Sequence, residues 1–400
     1  MKYYLIAGEP SGDLHGANLI KGLRKADPEA QFRFWGGDLM ANAGGKTNLR
    51  KHYRETSFFG IVQVLKNLGR IRRQMEECRR DVADFAPDVL ILVDYPGFNM
   101  KMARWAKEHG IRTFYYIAPK VWAWREWRVK SIRRYVDRLF IIFPFERGYF
   151  PRHGIEPLFE GNPLVDALEA RRGELPSGKE FRRRNGLDQR PIIALVAGSR
   201  RSEIRANLPL MAALAERFPD RQFVVTAVPW LERSLYEQYM AGTGLHYVCD
   251  QTYETIAAAE AAVVTSGTAT LETALLGTPE VVVYRTLWFQ VKLQPYVLKV
   301  PWVSLVNLNL GRESVAEIIQ SDLSVERAER ELRAILSGGE KRDRMKADFD
   351  ELRRIIGGPG ASERFARRMV DELMGPNRSE TQGQTEIPER TIRERQTEKP

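Results

Sequence analysis

Val263-Val264-Thr265-Ser266-Gly267-Thr268-Ala269-Thr270-Leu271-Glu272, followed by Gly277-Thr278-Pro279, reads as a buried strand, a turn of small residues and the first turns of a helix. A helix start leaves backbone N–H groups unpaired and carries a partial positive charge, so Ser266, Gly267 and Thr268 would offer donors to a diphosphate. The spacing is neither Walker A nor the dinucleotide fingerprint, and such a turn is also ordinary packing in an α/β protein. The same unit recurs along the chain. In the first half the apolar runs 3–7, 89–93 and 113–117 lead into helix-like segments 14–25, 100–109 and 124–135, and 139–143 is one more buried strand. A second series runs through 191–196, 222–228, 261–265 and 280–284. This alternation predicts two α/β halves, each a doubly wound parallel sheet, with the polar stretch 171–189 as a linker between them.

The composition agrees with two domains. At 400 residues and 43% hydrophobic content the chain can bury two cores of ordinary size. Its two cysteines, Cys78 and Cys249, belong to no metal-spaced cluster, which points to a reducing, cytosolic setting. The apolar run at the N-terminus is too short for a signal peptide, and nothing elsewhere reaches the roughly 20 apolar residues of a membrane span. The net charge of +10 suits nucleic acid, anionic lipid or a phosphorylated substrate. Residues 376–400 carry five basic and five acidic side chains, so the excess lies in 1–375. That terminal segment has too few apolar side chains to offset ordering entropy and is expected to be a disordered tail.

In open α/β sheets ligands bind at the carboxyl ends of the strands, and that is where the distinctive residues of this chain fall. Asp94 ends the apolar run 89–93, where a partly desolvated carboxylate would be poised to accept a proton; a turn aspartate before Pro96 is the plainer reading. Glu9 and Asp13 flank another strand end and would orient an acceptor, although Asp13 equally suits a helix cap. Ser199 and Arg200 follow Gly198 after a strand, and the guanidinium would clamp phosphate oxygens or simply be solvated beside Arg201 and Arg205. Glu272 would accept ribose hydroxyls or act as a first-turn acid on the helix dipole. Asn307, within 303–312, would read a sugar or pyrophosphate, or hold a turn. The five histidines are scattered, no His-Glu-x-x-His string occurs and no Asp-x-Asp pair is expected to hold a divalent ion on a diphosphate, so no metal site is expected, and there is no Gly-x-Ser-x-Gly elbow of an α/β-hydrolase. Residues 58–73 are apolar and then strongly basic, a pattern that suits an anionic lipid interface as well as a core-packed helix. Residues 122–134 interleave tryptophan with arginine and lysine, which would suit base stacking, but no nucleic-acid module surrounds them.

Together these strings resemble one family over about residues 3–370, the lipid-A-disaccharide synthases, inverting glycosyltransferases of GT-B architecture. The resemblance is carried by Gly-Glu-x-Ser-Gly-Asp at 8–13, Asp94 with Pro96, Phe98 and Asn99, Pro119 with Val121-Trp122-Ala123-Trp124-Arg125, and Pro144-Phe145-Glu146. The second half adds Gly198-Ser199-Arg200, Ser266-Gly267-Thr268-Ala269 with Leu271-Glu272, and Val303-Ser304-Leu305 with Asn307 and Gly311-Arg312-Glu313. Gly97 stands where members often carry a second Asp, and Asn162 where they carry His.

The resemblance implies two Rossmann-like domains facing across a cleft: 1–170 for the acceptor and the membrane, 171–350 for a UDP-sugar donor, and a helix at 351–375 crossing back, before the tail at 376–400. It implies transfer of 2,3-diacylglucosamine from UDP-2,3-diacylglucosamine to the 6-hydroxyl of 2,3-diacylglucosamine 1-phosphate, giving a β-1,6 disaccharide and UDP with no metal and no cofactor. By position, Asp94 is the candidate base with Glu9 and Asp13 beside it. Ser199, Arg200, Ser266, Gly267, Thr268, Glu272, Asn307 and Arg312 are candidate substrate contacts. The expected setting is cytoplasmic and peripheral to the inner membrane, without nucleic acid, and compatible with a homodimer. Another GT-B UDP-sugar transferase or an epimerase is the alternative enzyme, and a basic nucleic-acid scaffold the alternative class.

Overall fold

The computed structural model of the chain describes residues 1–56, 68–122, 128–285 and 301–375. Most of the apolar-basic stretch 58–73, the Ala-Trp-Arg part of the aromatic segment and the tail at 376–400 lie outside the described residues. The first sheet comprises β1 (Lys2–Ala7), β2 (Gln31–Gly36), β3 (Leu49–His52), β4 (Val89–Val93), β5 (Thr113–Tyr116), β6 (Arg138–Ile141) and β7 (Leu158–Phe159), in the order β3-β2-β1-β4-β5-β6-β7. The second comprises β8 (Ile192–Val196), β9 (Gln222–Ala227), β10 (His246–Cys249), β11 (Ala261–Thr265), β12 (Glu280–Tyr284) and β13 (Ala316–Ile319), in the order β10-β9-β8-β11-β12-β13. Neighbouring strands are parallel throughout.

A parallel sheet covered by helices on both faces must bury alternate side chains in two different cores, and this explains the unbroken apolar runs. In β1, Tyr3, Leu5 and Ala7 enter one core while Tyr4 and Ile6 enter the other. β2 escapes that pattern because Arg33 interrupts Phe32 and Phe34 and turns outward to Asp81 and Asp84. The helices after β1 and β4 start earlier than expected, as Pro10–Ala26 and Pro96–Glu108. Each has proline in its first turn, where the missing N–H costs nothing.

The stretch 171–189 is not an open linker. Its helix Gly178–Arg184 buries Phe181 completely, and Phe181 packs with Leu187, Ile192, Val224 and Val248. The last helix, Ala361–Met374, lies on Pro10–Ala26 of the first half so closely that a Cβ on Gly22 would stand 2.8 Å from the Ala366 Cβ. Asp166 caps it, accepting from the N–H groups of Gly360, Ala361 and Ser362 at 2.6–3.1 Å. Phe365 meets the rings of Tyr116 and Phe140, so the chain ends its described part fixed to the first sheet.

Strand order reverses between β1 and β4 in one sheet and between β8 and β11 in the other. Such switch points open a crevice at the carboxyl ends. Glu9 follows β1, Asp94 follows β4, Gly198-Ser199-Arg200 follows β8 and Ser266-Gly267 follows β11.

Candidate functional site

Two consecutive residues with left-handed backbone mark the end of β4, Asp94 at φ 44° and Tyr95 at φ 49°. Such a conformation costs a bulky residue on the order of 1–3 kcal/mol and persists only where surroundings over-determine it. Here Asn99, fully buried, donates its amide to the carbonyls of Ile6, Val93 and Asp94, tying the ends of β1 and β4 together. The Tyr115 hydroxyl donates to the Asp94 carbonyl at 2.6 Å, and the Tyr95 ring lies where a Cβ on Gly8 would be, 2.3 Å away. Only glycine fits there.

Asp94 is half-buried. Burial pushes its pKa up, against the Lys120 ammonium and the Tyr95 N–H, which favour the charged form. Glu9 is raised for the same first reason and next by the charge of Asp94, with Arg200 and Lys120 pulling it down. Tyr95 is pushed up to about 12 by burial and by Glu9. The charges of Asp94 and Lys120 in the first half and of Arg200 in the second thus all act on Glu9. Lys120 was not singled out in the sequence, because a lysine two residues before a tryptophan has no spacing that marks it.

Asp13 does not present a free carboxylate. It is buried and accepts from the N–H groups of Gly37, Leu39 and Met40 at 2.7–3.1 Å, which caps the helix Asp38–Gly44 rather than the helix beginning near Leu14. Three backbone N–H groups fill most of its accepting capacity, so it positions the helix after β1 against the turn after β2.

On the second half, Arg200 is exposed and its guanidinium meets Glu203 at 2.7 Å. Glu203 also accepts from the N–H groups of Ser199 and Arg200 at 2.9 and 3.2 Å, occupying the amides that a phosphate would need. Gly198, at φ 111°, makes room for it. Gly267 and Thr268 open the helix Thr268–Leu276, with Thr268 exposed, while the Ser266 hydroxyl donates to the Val303 carbonyl at 2.9 Å. Ser266 therefore ties the loop after β11 to the segment that begins at Val303. Glu272 accepts from the Tyr253 hydroxyl at 2.7 Å; burial raises its pKa and that bond opposes the rise.

Two expected substrate contacts are engaged by partners within the chain. Asn307 is fully buried, donates to the Val315 carbonyl and Glu317, and accepts from the N–H groups of Ser314 and Val315, all at 2.8–3.0 Å. An amide side chain has two donors and two acceptor sites, so none is left for a ligand. Arg312 forks onto Asp348 and Glu351 of the helix Arg342–Ile356. Both build the 303–317 segment. An Asp-x-Asp string does occur, Asp348-Phe349-Asp350, but it lies inside that helix, with Asp348 on Arg312 and Asp350 on Arg353.

Glu146, at the carboxyl end of β6, is buried and accepts from Trp122 Nε1 at 3.0 Å and the Phe143 N–H at 3.2 Å. Burial pushes its pKa up to about 8. From about pH 4.5, where an unfolded glutamate ionises, to about 8 the folded chain keeps a proton that the unfolded chain has lost, so stability falls as pH rises through that window. Glu146→Gln should remove this slope. Between pH 6 and 8 the wild-type Tm should drop roughly 3 °C more than that of the variant, read by differential scanning fluorimetry; equal slopes would show that Glu146 ionises normally.

The model of the lipid-A-disaccharide synthetase family matches residues 3–363. A lipid-A-disaccharide synthase from Geobacter sulfurreducens is 36% identical over 378 residues, covering 93% of this chain and 97% of that protein. One from Myxococcus xanthus is 37% identical over 381 residues, covering 94% and 98%. Among solved structures, the UDP-GlcNAc 2-epimerase from Neisseria meningitidis bound to UDP-GlcNAc superposes with a TM-score of 0.68 at 12% identity, over 93% of this chain and 100% of that one. A transferase from Siraitia grosvenorii in complex with UDP gives 0.59 at 15%, over 94% and 100%. These structures share the fold, two Rossmann-like domains of the GT-B kind.

Proposed function

This chain belongs to the lipid-A-disaccharide synthetase family, UDP-sugar glycosyltransferases of lipid A biosynthesis, and from that premise we propose that it joins UDP-2,3-diacylglucosamine to 2,3-diacylglucosamine 1-phosphate. The observation that carries the mechanism is the placement of Asp94 at the end of β4, beside the Glu9 turn that follows the neighbouring β1, where the charges of Asp94 and of Arg200 from the second half both act on Glu9. Asp94 takes the proton of the acceptor 6-hydroxyl as that oxygen bonds to the donor anomeric carbon from the face opposite the diphosphate. The anomeric C–O bond breaks with its electron pair leaving on UDP, and the new linkage is β-1,6. Holding both sugars in line supplies much of the rate.

Arg200 and the backbone of Ser199, Gly267 and Thr268 neutralise the departing diphosphate, with Glu203 yielding its two amides when the nucleotide arrives. Glu272 exchanges the Tyr253 hydroxyl for ribose hydroxyls. Glu9 orients the acceptor beside Asp94, while Asp13, Ser266, Asn307 and Arg312 hold the loops in place. None of these steps uses a metal. Both substrates carry acyl chains, so the enzyme works peripherally at the cytoplasmic face of the inner membrane, with residues 58–73 as the docking stretch. Among the described residues no helix is long and apolar enough to cross a membrane.

The test is mass spectrometry of the folded protein mixed with both substrates in a chelating buffer. A disaccharide 1-phosphate and UDP in equal amounts are expected. Folded protein giving no disaccharide would overturn the proposal, and product formed only after a divalent ion is restored would overturn its metal-free step.

A further inference from the structure

One cation at the carboxyl edge of the first sheet has no part in the mechanism above. Lys120 is exposed, whereas Ala118, Pro119, Val121 and Trp122 on either side of it are buried. The turn that carries it is fixed at several points. Ile117, β-branched, is held at φ 66° with its N–H on the Phe140 carbonyl at 3.0 Å, an outlier that must be imposed from outside. The Val121 N–H closes on the Pro119 carbonyl, and Trp122 is anchored by Glu146. β5 runs beside β4, with the Asp94 N–H on the Tyr116 carbonyl at 3.0 Å, so this turn emerges next to Asp94. We propose that Lys120 is a positioning residue for the transfer: its ammonium, delivered at the end of β5 by this fixed turn, is the counter-charge that keeps the Asp94 carboxylate ionised beside Glu9. The proposal rests on the reading of Asp94 as base.

The neighbouring groups favour this use of the charge. Glu9 faces Asp94 from the β1 turn and repels it, while Arg200 answers Glu9 from across the cleft. Tyr95 and Tyr115, both raised by burial, are neutral at pH 7, and Arg128 acts on Tyr115. Glu146, behind Lys120, is held neutral below about pH 8 and so does not cancel the ammonium. The charge of Lys120 acts on Glu146 as well, but among its neighbours Asp94 and Glu9 are the carboxylates at the switch point.

Lys120→Met and Lys120→Arg should be compared with wild type by kcat/KM against pH for both substrates. Loss of a nearby opposite charge moves a carboxylate up by about one pH unit or more, so Lys120→Met should shift the acid limb upward by about that much. Activity below the limb should fall about tenfold and little should change at high pH, with Lys120→Arg restoring the wild-type limb. An acid limb left in place overturns the proposal, whether activity is unchanged or the acceptor KM rises at all pH values, the latter being the mark of a phosphate grip. Asp94→Asn run alongside separates the two readings. Turnover lost there with an unmoved Lys120→Met limb rejects Lys120 alone, whereas turnover kept in Asp94→Asn rejects the base. Tm and UDP binding should match wild type in both lysine variants.

Discussion

Asp94→Asn is expected to lower kcat by about 10³-fold, the middle of the range for removing a general base, while Tm and the affinity for UDP stay at wild-type values. The substitution keeps the shape and leaves an oxygen to accept the Tyr95 N–H that now supports the carboxylate. Asparagine also tolerates a φ of 44° as readily as aspartate does, so the strained turn survives. What disappears is the ability to take a proton from the acceptor hydroxyl at the moment it attacks. Single-turnover kinetics with saturating donor and acceptor isolates that step from product release. A variant within a few-fold of wild type would assign the proton to another group, and Glu9, whose ionisation is coupled to Asp94 across the same switch point, would be the next to test.

Much of this site was legible before the fold was known, because strand ends announce themselves. Asp94 closes five fully buried residues, and the helix behind it starts at Pro96. The same holds for Glu9 after β1 and for Ser266 after β11. Strand order was not legible. Nothing local tells that β1 lies beside β4 and β8 beside β11, which is what turns four separate strand ends into two facing crevices. β2, β3, β7, β10 and β13 carry no unbroken apolar run to mark them: Arg33 interrupts β2, β3 is mostly basic, β7 has two residues, His246 opens β10 and Glu317 interrupts β13. Residue types at a loop cannot show whether their hydrogen-bonding capacity is already used. Asp13, Asn307 and Arg312 have the chemistry of ligand contacts, and each is engaged by backbone or carboxylate partners that residue type does not reveal. Lys120 is the converse. Its neighbours on the chain are apolar, and only the adjacency of β5 to β4 gives it a role.

Asn307→Ala separates a scaffold from a ligand contact. If the amide read the donor, its loss would raise the donor KM or Kd and leave Tm alone. The observed bonding predicts the reverse. Alanine would strand the N–H groups of Ser314 and Val315, the Val315 carbonyl and one bond to Glu317, in a place where neither side chain nor solvent replaces the lost amide. Each buried group left unpaired costs on the order of 1–3 kcal/mol, and partial relaxation brings the sum to about 3–4 kcal/mol of stability. Urea unfolding monitored by tryptophan fluorescence would register this as a lower midpoint. The consequence for catalysis follows from the connections of Glu317, which accepts from the N–H groups of Val303 and Ser304 as well as from Asn307. The Val303 carbonyl in turn receives the Ser266 hydroxyl. Loosening Asn307 therefore reaches the start of the helix Thr268–Leu276, and kcat should fall with the fraction folded while the donor KM of the remaining folded enzyme changes less than threefold. A tenfold rise in donor KM at unchanged unfolding midpoint would instead put the Asn307 amide on the nucleotide.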